Sequence, residues 1–93
     1  MNSRPRIVIA YCPRCGWLLR AAWLAQELLS TFGADLGEVA LAPGGKGVFD
    51  ITTGDGQRLW SRADEGRFPE PKELKKRVRD ALFPGRDLGH SDR

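Results

Sequence analysis

Two cysteines stand three residues apart in Cys12-Pro13-Arg14-Cys15, and they are the only cysteines among the 93 residues. Thiols at that spacing can meet within one turn of backbone and close a disulfide without unfolding it. A thiolate attacks a disulfide or an oxidised thiol to give a mixed disulfide, and the second cysteine resolves it. Nearby positive charge favours the thiolate, as do the free N–H donors of a helix N-terminus; Arg14 supplies the first and the following helix the second. With the motif on that helix terminus, Cys12 is expected to be the more exposed sulfur, to have a lowered pKa and to attack, leaving Cys15 to resolve. Pro13, Arg14 and Trp17 are the expected binding residues around them. Trp17, off the main apolar stripe, is expected to be exposed as a docking anchor for a partner protein.

Other uses of two cysteines are weaker. A ring this small adds little loop-closure entropy, so a purely structural disulfide gains little. Zinc wants four ligands, and the single histidine, His90, sits in the C-terminal tail. No metal is therefore expected, although an all-cysteine zinc site shared by two copies stays open, as does a redox-inert buried pair. One histidine in the tail also leaves no Ser-His-Asp arrangement.

The elements that must position the motif follow from periodicity. Arg6-Ile-Val-Ile-Ala-Tyr11 reads as a buried strand, expected near residues 5–11. Leu18, Ala21, Ala25, Leu28 and Phe32 recur at helical spacing, which predicts a helix over 14–32 with Pro13 at its start and Gly33 at its end. Leu18, Leu28 and Phe32 are expected to be buried, with Trp23 and Leu24 widening the covered stripe. Strands are expected near 37–42, 47–53 and 57–61, the last two joined by the turn signal Thr53-Gly54-Asp55-Gly56. The segment 62–70 reads as a polar connection holding one anchor, Phe68. A second helix is expected over 71–82, with Leu74 and Val78 inward and a Glu73–Arg77 pair on its surface.

This order, β-α-β-β-β-α, predicts an α/β two-layer sandwich with a mixed four-stranded sheet, because a strand-helix-strand crossover makes parallel neighbours and a hairpin adds antiparallel ones. Residues 1–84 are expected to form this single domain and 85–93 a mobile tail.

Composition excludes several classes. A 10.3 kDa chain fits one domain, and 41% hydrophobic residues suffice for a core. The net charge of +3 is too weak to argue for nucleic acid. Glu70, Glu73 and Asp80 interrupt the basic residues Lys72, Lys75, Lys76, Arg77 and Arg79, so they read as a solvated face. No apolar run approaches a membrane span, and Ile7 to Ala10 is too short for a signal-peptide core. The expectation is a cytoplasmic protein with no nucleic-acid or membrane partner, a compartment where structural disulfides are rare. The loop Gly44-Gly45-Lys46-Gly47 lacks a P-loop pattern and reads as a plain connection; near the cysteines it would offer N–H donors to a carboxylate.

Taken together, Tyr11-Cys-Pro-Arg-Cys-Gly-Trp17, Leu19-Arg-Ala-Ala-Trp23, Gln26-Glu-Leu-Leu29, Gly47-Val-Phe-Asp-Ile51 and Gly66-Arg-Phe-Pro69 resemble the selenoprotein W-like (SelT/SelW/SelH, or Rdx) family. The resemblance spans about residues 6 to 83. It implies a thioredoxin-like fold and thiol-based redox chemistry linked to cell redox homeostasis, with protein thiols or disulfides as partners and glutathione as a co-substrate, and no other cofactor. In selenoprotein members selenocysteine takes the second motif position, which is Cys15 here. The family analogy thus assigns the attacking role to Cys15, where helix geometry assigns it to Cys12. Thioredoxins also set a cis-proline against the motif; Pro43 is nearest by topology, but the glycines after it argue against that role. A non-catalytic interaction module whose cysteines sense oxidation is the alternative function.

Overall fold

A computed structural model describes residues 4–89. The chain runs β1 (Arg6–Tyr11), α1 (Leu18–Phe32), a 3-10 turn (Gly33–Asp35), β2 (Glu38–Pro43), β3 (Phe49–Thr53), β4 (Arg58–Ser61), a short α2 (Arg62–Glu65) and α3 (Pro71–Leu82). The sheet order is β2-β1-β3-β4. β1 and β2 are parallel, with Arg6 opposite Glu38 and Tyr11 opposite Pro43. β1 and β3 are antiparallel, with Tyr11 opposite Phe49, and β4 returns antiparallel to β3. This is the expected mixed four-stranded α/β sandwich.

One face of the sheet carries the core. Ile7, Ile9 and Tyr11 of β1 and Phe49, Ile51 and Thr53 of β3 are buried at alternate positions, as a pleated strand under one helical layer requires. Val8 and Ala10 are only half-buried, so β1 is covered on one face rather than both. α1 covers the sheet with Ala21, Leu24, Ala25, Leu28 and Phe32, and α3 adds Leu74 and Val78.

Three expectations change. α1 starts at Leu18 rather than 14, because Gly16 takes φ +75, a left-handed conformation that cannot continue a helix. Pro13 therefore lies in a turn and not in a first helical turn. The covered stripe of α1 is also narrower than its apolar content: Leu18 is 45% exposed and Trp23 44% exposed, since only one side of the helix meets the sheet. Finally, residues 62–65 form α2 within the expected connection.

α3 is held at its start more firmly than the periodicity shows. Glu70 and Glu73 form a capping box, with the Glu70 backbone N–H donating to Glu73 Oε1 at 2.7 Å. Glu73 does not bond Arg77. It takes both nitrogens of Arg67, at 2.5 and 3.0 Å, while Arg77 donates to Glu65 and to the Leu59 carbonyl and stacks over the Trp60 ring. The basic side chains Lys75 and Arg79 are likewise tied to Glu27 and Asp80.

Beyond residue 84 the chain still packs. Arg86 donates to the Thr31 carbonyl at 2.9 Å and pairs with Asp35, and Leu88 lies against the core. His90 lies outside the described residues. Among the described residues, no helix is long and apolar enough to cross a membrane.

The Arg67 hydrogen bonds are the largest cause holding the Glu73 carboxyl at about 2, below its ordinary 4.5; partial burial opposes them and the Glu70 N–H adds to them. A depressed carboxylate stabilises the fold fully above pH 4.5 and loses that contribution as pH falls toward 2. Replacing Glu73 with Gln keeps an oxygen for the Glu70 N–H but removes the charge facing Arg67, and is expected to cost about 0.5–1 kcal/mol at neutral pH. It should also flatten the acid limb of urea-unfolding stability below pH 4.5. Identical acid limbs for the two proteins would refute that assignment.

Candidate thiol site

The motif sits where β1 leaves the sheet. After Tyr11 the chain turns through Cys12 to Gly16: the Gly16 N–H donates to the Pro13 carbonyl at 3.1 Å and the Trp17 N–H to the Cys12 carbonyl at 3.4 Å. Gly16 closes this turn at positive φ. Within it Cys12 and Cys15 are joined as a disulfide, with Cα atoms 5.3 Å apart, inside the range such a bond allows.

The two sulfurs are not equivalent, and the order expected from helix geometry is reversed. Cys12 has 0% exposure, whereas Cys15 is exposed. The physical reason is the turn: Cys12 directly continues buried Tyr11 and points inward, and three residues later the chain has turned out to solvent. The helix terminus does not serve the sulfurs either, because α1 begins only at Leu18. The donor that reaches a sulfur is the Cys15 backbone N–H, 3.2 Å from Cys12 Sγ.

A second loop closes on the motif because β1 and β2 run parallel and finish at the same end of the sheet. The Gly44 N–H donates to the Tyr11 carbonyl at 2.7 Å, one residue before Cys12. A Cβ at Gly44 would lie 2.6 Å from the Val48 side chain but 3.6 Å from the Tyr11 carbonyl, so a larger residue would displace Val48 within the loop before it touched the motif. The loop and the turn border a cavity of about 250 Å³ lined by Cys12, Pro13, Arg14, Gly44, Gly45 and Lys46. Pro43 is trans, as are all peptide bonds of the described residues, so no cis-proline faces the motif.

Behind the turn lies an aromatic cluster. Trp17 meets Phe68 edge-on at 4.9 Å and Phe49 at 6.2 Å, and Phe49 meets Phe68 at 5.0 Å. Trp17 is therefore half-buried support for the turn rather than the free anchor expected of it. Its remaining exposed part lines an open groove with Leu19 and Trp23. α2 brings Arg62 over both the Trp17 and Phe68 rings at 4.9 Å, and Arg20 lies over Phe68 at 4.2 Å. Arg20 and Arg62 were not foreseen. The Leu19–Trp23 spacing, i and i+4 on the side of α1 away from Leu24 and Leu28, is the sequence signal that marked this side of the helix. Among the described residues no third His, Cys, Asp or Glu joins the cysteines in a metal-sized cluster.

A sheet of order β2-β1-β3-β4, with a C-x-x-C disulfide where its first strand leads into the crossover helix, defines a thioredoxin-like protein. Its sequence matches the Rdx family over residues 6–80, and the chain belongs to that redox-linked family. A crystal structure of a Bordetella parapertussis protein superposes with a TM-score of 0.82 at 67% identity, covering 85% of this chain and 99% of that one. A selenoprotein W-related protein from Vibrio cholerae gives 0.82 at 49% identity, covering 86% and 99%. "Migration and invasion enhancer 1" of Bos taurus is 33% identical over 76 residues, 82% of this chain. The match spans 64% of that bovine protein's length.

The aromatic support can be measured. Trp17→Ala is expected to destabilise the fold by roughly 2–3 kcal/mol, less than a fully buried Trp, because the ring is only partly covered. A loss under about 0.5 kcal/mol in urea titration, the size of an ordinary surface change, would show that Trp17 carries no packing.

Proposed function

We propose that the protein is a thiol-disulfide redox protein in which Cys15 exchanges with partners and Cys12 resolves. The observation that supports this reading is the unequal exposure of the two bonded cysteines: Cys12 is fully buried and Cys15 is exposed, which favours attack by an incoming thiolate at Cys15. Attack on Cys15 Sγ forms a mixed disulfide and expels Cys12 as a thiolate, which receives the Cys15 N–H. A leaving thiolate that is hydrogen-bonded leaves more readily. A second donor thiolate then attacks the donor sulfur of that mixed disulfide, freeing Cys15 and leaving both cysteines reduced. In the other direction, Cys15 as thiolate attacks a partner disulfide and releases one partner thiol. Cys12 attacks Cys15 Sγ and releases the second. The balance is one protein dithiol plus one partner disulfide to one protein disulfide plus two partner thiols.

Family membership supports the same reading and, with the cysteine in the second position, the same attacking atom. Protein thiols or disulfides are the partners under this proposal, and glutathione is the co-substrate. The cavity between the motif turn and the Gly44–Lys46 loop would hold a glutathione carboxylate through Arg14 and Lys46. The chemistry needs no metal or organic cofactor, since the electrons stay on sulfur.

After reduction with excess dithiol and its removal, limiting iodoacetamide is expected to label Cys15 at least about tenfold faster than Cys12, as read by peptide mass spectrometry. With glutathione as donor and a small disulfide as acceptor, Cys15→Ser should fall to the uncatalysed rate. Cys12→Ser should accumulate a glutathione adduct on Cys15. Faster labelling of Cys12 would exchange the two roles, and native thiols inert to the reagent would sink the redox reading.

A further inference from the structure

The side of α1 turned away from the sheet is apolar where solvent exposure would favour polar residues. Leu19 is 81% exposed and Trp23 44% exposed, one helical turn apart. With Gly16, Trp17, Arg20 and Phe68 they line an open groove of about 450 Å³. Gly16 is the residue after Cys15, so the groove lies next to the exposed cysteine.

Its charges separate it from the rest of the surface. Elsewhere arginines are matched: Arg58, Arg67 and Arg77 each meet a carboxylate oxygen at 3.2 Å or less. Arg14, Arg20 and Arg62, beside the motif and along the groove, have no carboxylate partner among the described residues. Arg20 and Arg62 lie on aromatic faces instead, and Arg62 Nε is buried without a hydrogen-bond acceptor. Of the two, Arg20 is exposed and lines the groove, so a guanidinium steadied by ring stacking and unpaired with a carboxylate stands ready for an incoming one there.

We infer that this groove is a docking site for a partner's cysteine-bearing segment, one with an apolar side chain beside the cysteine and an acidic residue next to that. The inference rests on the thiol function proposed above and adds the class of partner that function selects. The dimensions agree. Leu19 and Trp23 are about 6 Å apart along the helix, the span of two extended residues. A segment whose sulfur meets Cys15 can thus set one apolar side chain on the Leu19–Trp23 surface and turn the acidic residue beside it toward Arg20. The positive rim speeds encounter with acidic segments and disfavours basic ones.

The test uses the Cys12→Ser protein, so that the mixed disulfide on Cys15 persists. Short peptides carry one cysteine activated as its 2-thiopyridyl disulfide, flanked by Leu and Glu, by Leu and Lys, or by Ser and Glu. The Cys15 thiolate displaces thiopyridone and keeps the peptide, so thiopyridone release reads the rate. The Leu/Glu peptide is expected to react about tenfold faster than the Leu/Lys peptide at low salt, with the gap shrinking as salt rises. The Ser/Glu peptide should be several-fold slower than Leu/Glu. Arg20→Glu should invert the Glu/Lys ranking, and Leu19→Ser, at an exposed position, should abolish the Leu/Ser difference. Equal rates for the Glu and Lys peptides, or a ranking unmoved by Arg20→Glu, would overturn the groove assignment. Neutral dithiodipyridine separates the two levels. A protein that reacts with it but ranks the peptides equally has lost the groove alone. A protein inert to it has lost the thiol function as well.

Discussion

Two strands that run parallel finish at the same end of a sheet, and the parallel pairing of β1 with β2 sets the geometry of the cysteine turn and the loop beside it. α1 is the crossover that the pairing demands. Because Tyr11 and Pro43 end level with each other, the cysteine turn and the glycine loop emerge side by side, and one hydrogen bond from Gly44 to Tyr11 is enough to lock them. Antiparallel β3 then delivers Phe49 to the same end, opposite Tyr11. Phe68 reaches it from a connection pinned by the Arg67–Glu73 bonds and by the Trp60 indole N–H, which donates to the Arg67 carbonyl at 3.0 Å. A charge pair at the start of α3 therefore bears on the packing behind a disulfide many residues away in sequence.

The layering was legible in the sequence because its signals are local and redundant. β1 through β4, α3 and the order of elements all follow from short apolar runs, glycine-rich turns and Pro71, and the motif's place at the first strand-helix junction follows with them. What periodicity could not show was orientation. α1 has apolar residues around much of its circumference, so spacing alone did not decide that Leu24 and Leu28 face inward while Trp23 and Leu18 do not. Glu73 had two cations within plausible reach, and the winner was set by the fold of residues 66–70, not by helical spacing.

The cysteines show the same limit more sharply. Residue types and spacing identified the chemistry. The relative exposure of the two sulfurs depended on Gly16, whose left-handed backbone ends the turn before the helix begins. A glycine after C-x-x-C does not announce that conformation, and Pro13 suggested a helix start. The resemblance to selenoprotein W-like proteins carried information about Cys15 that spacing did not contain, since the second motif position is the one those proteins fill with selenocysteine.

The turn around the cysteines is fastened by main-chain hydrogen bonds at Gly16 and Trp17 as well as by sulfur. Opening the S–S bond therefore leaves the two thiols as near neighbours, and the closing reaction in the proposed cycle is intramolecular between groups already in place. Such reactions proceed as though one partner were present at a very high local concentration. A captured protein would then be discharged almost as soon as it is bound.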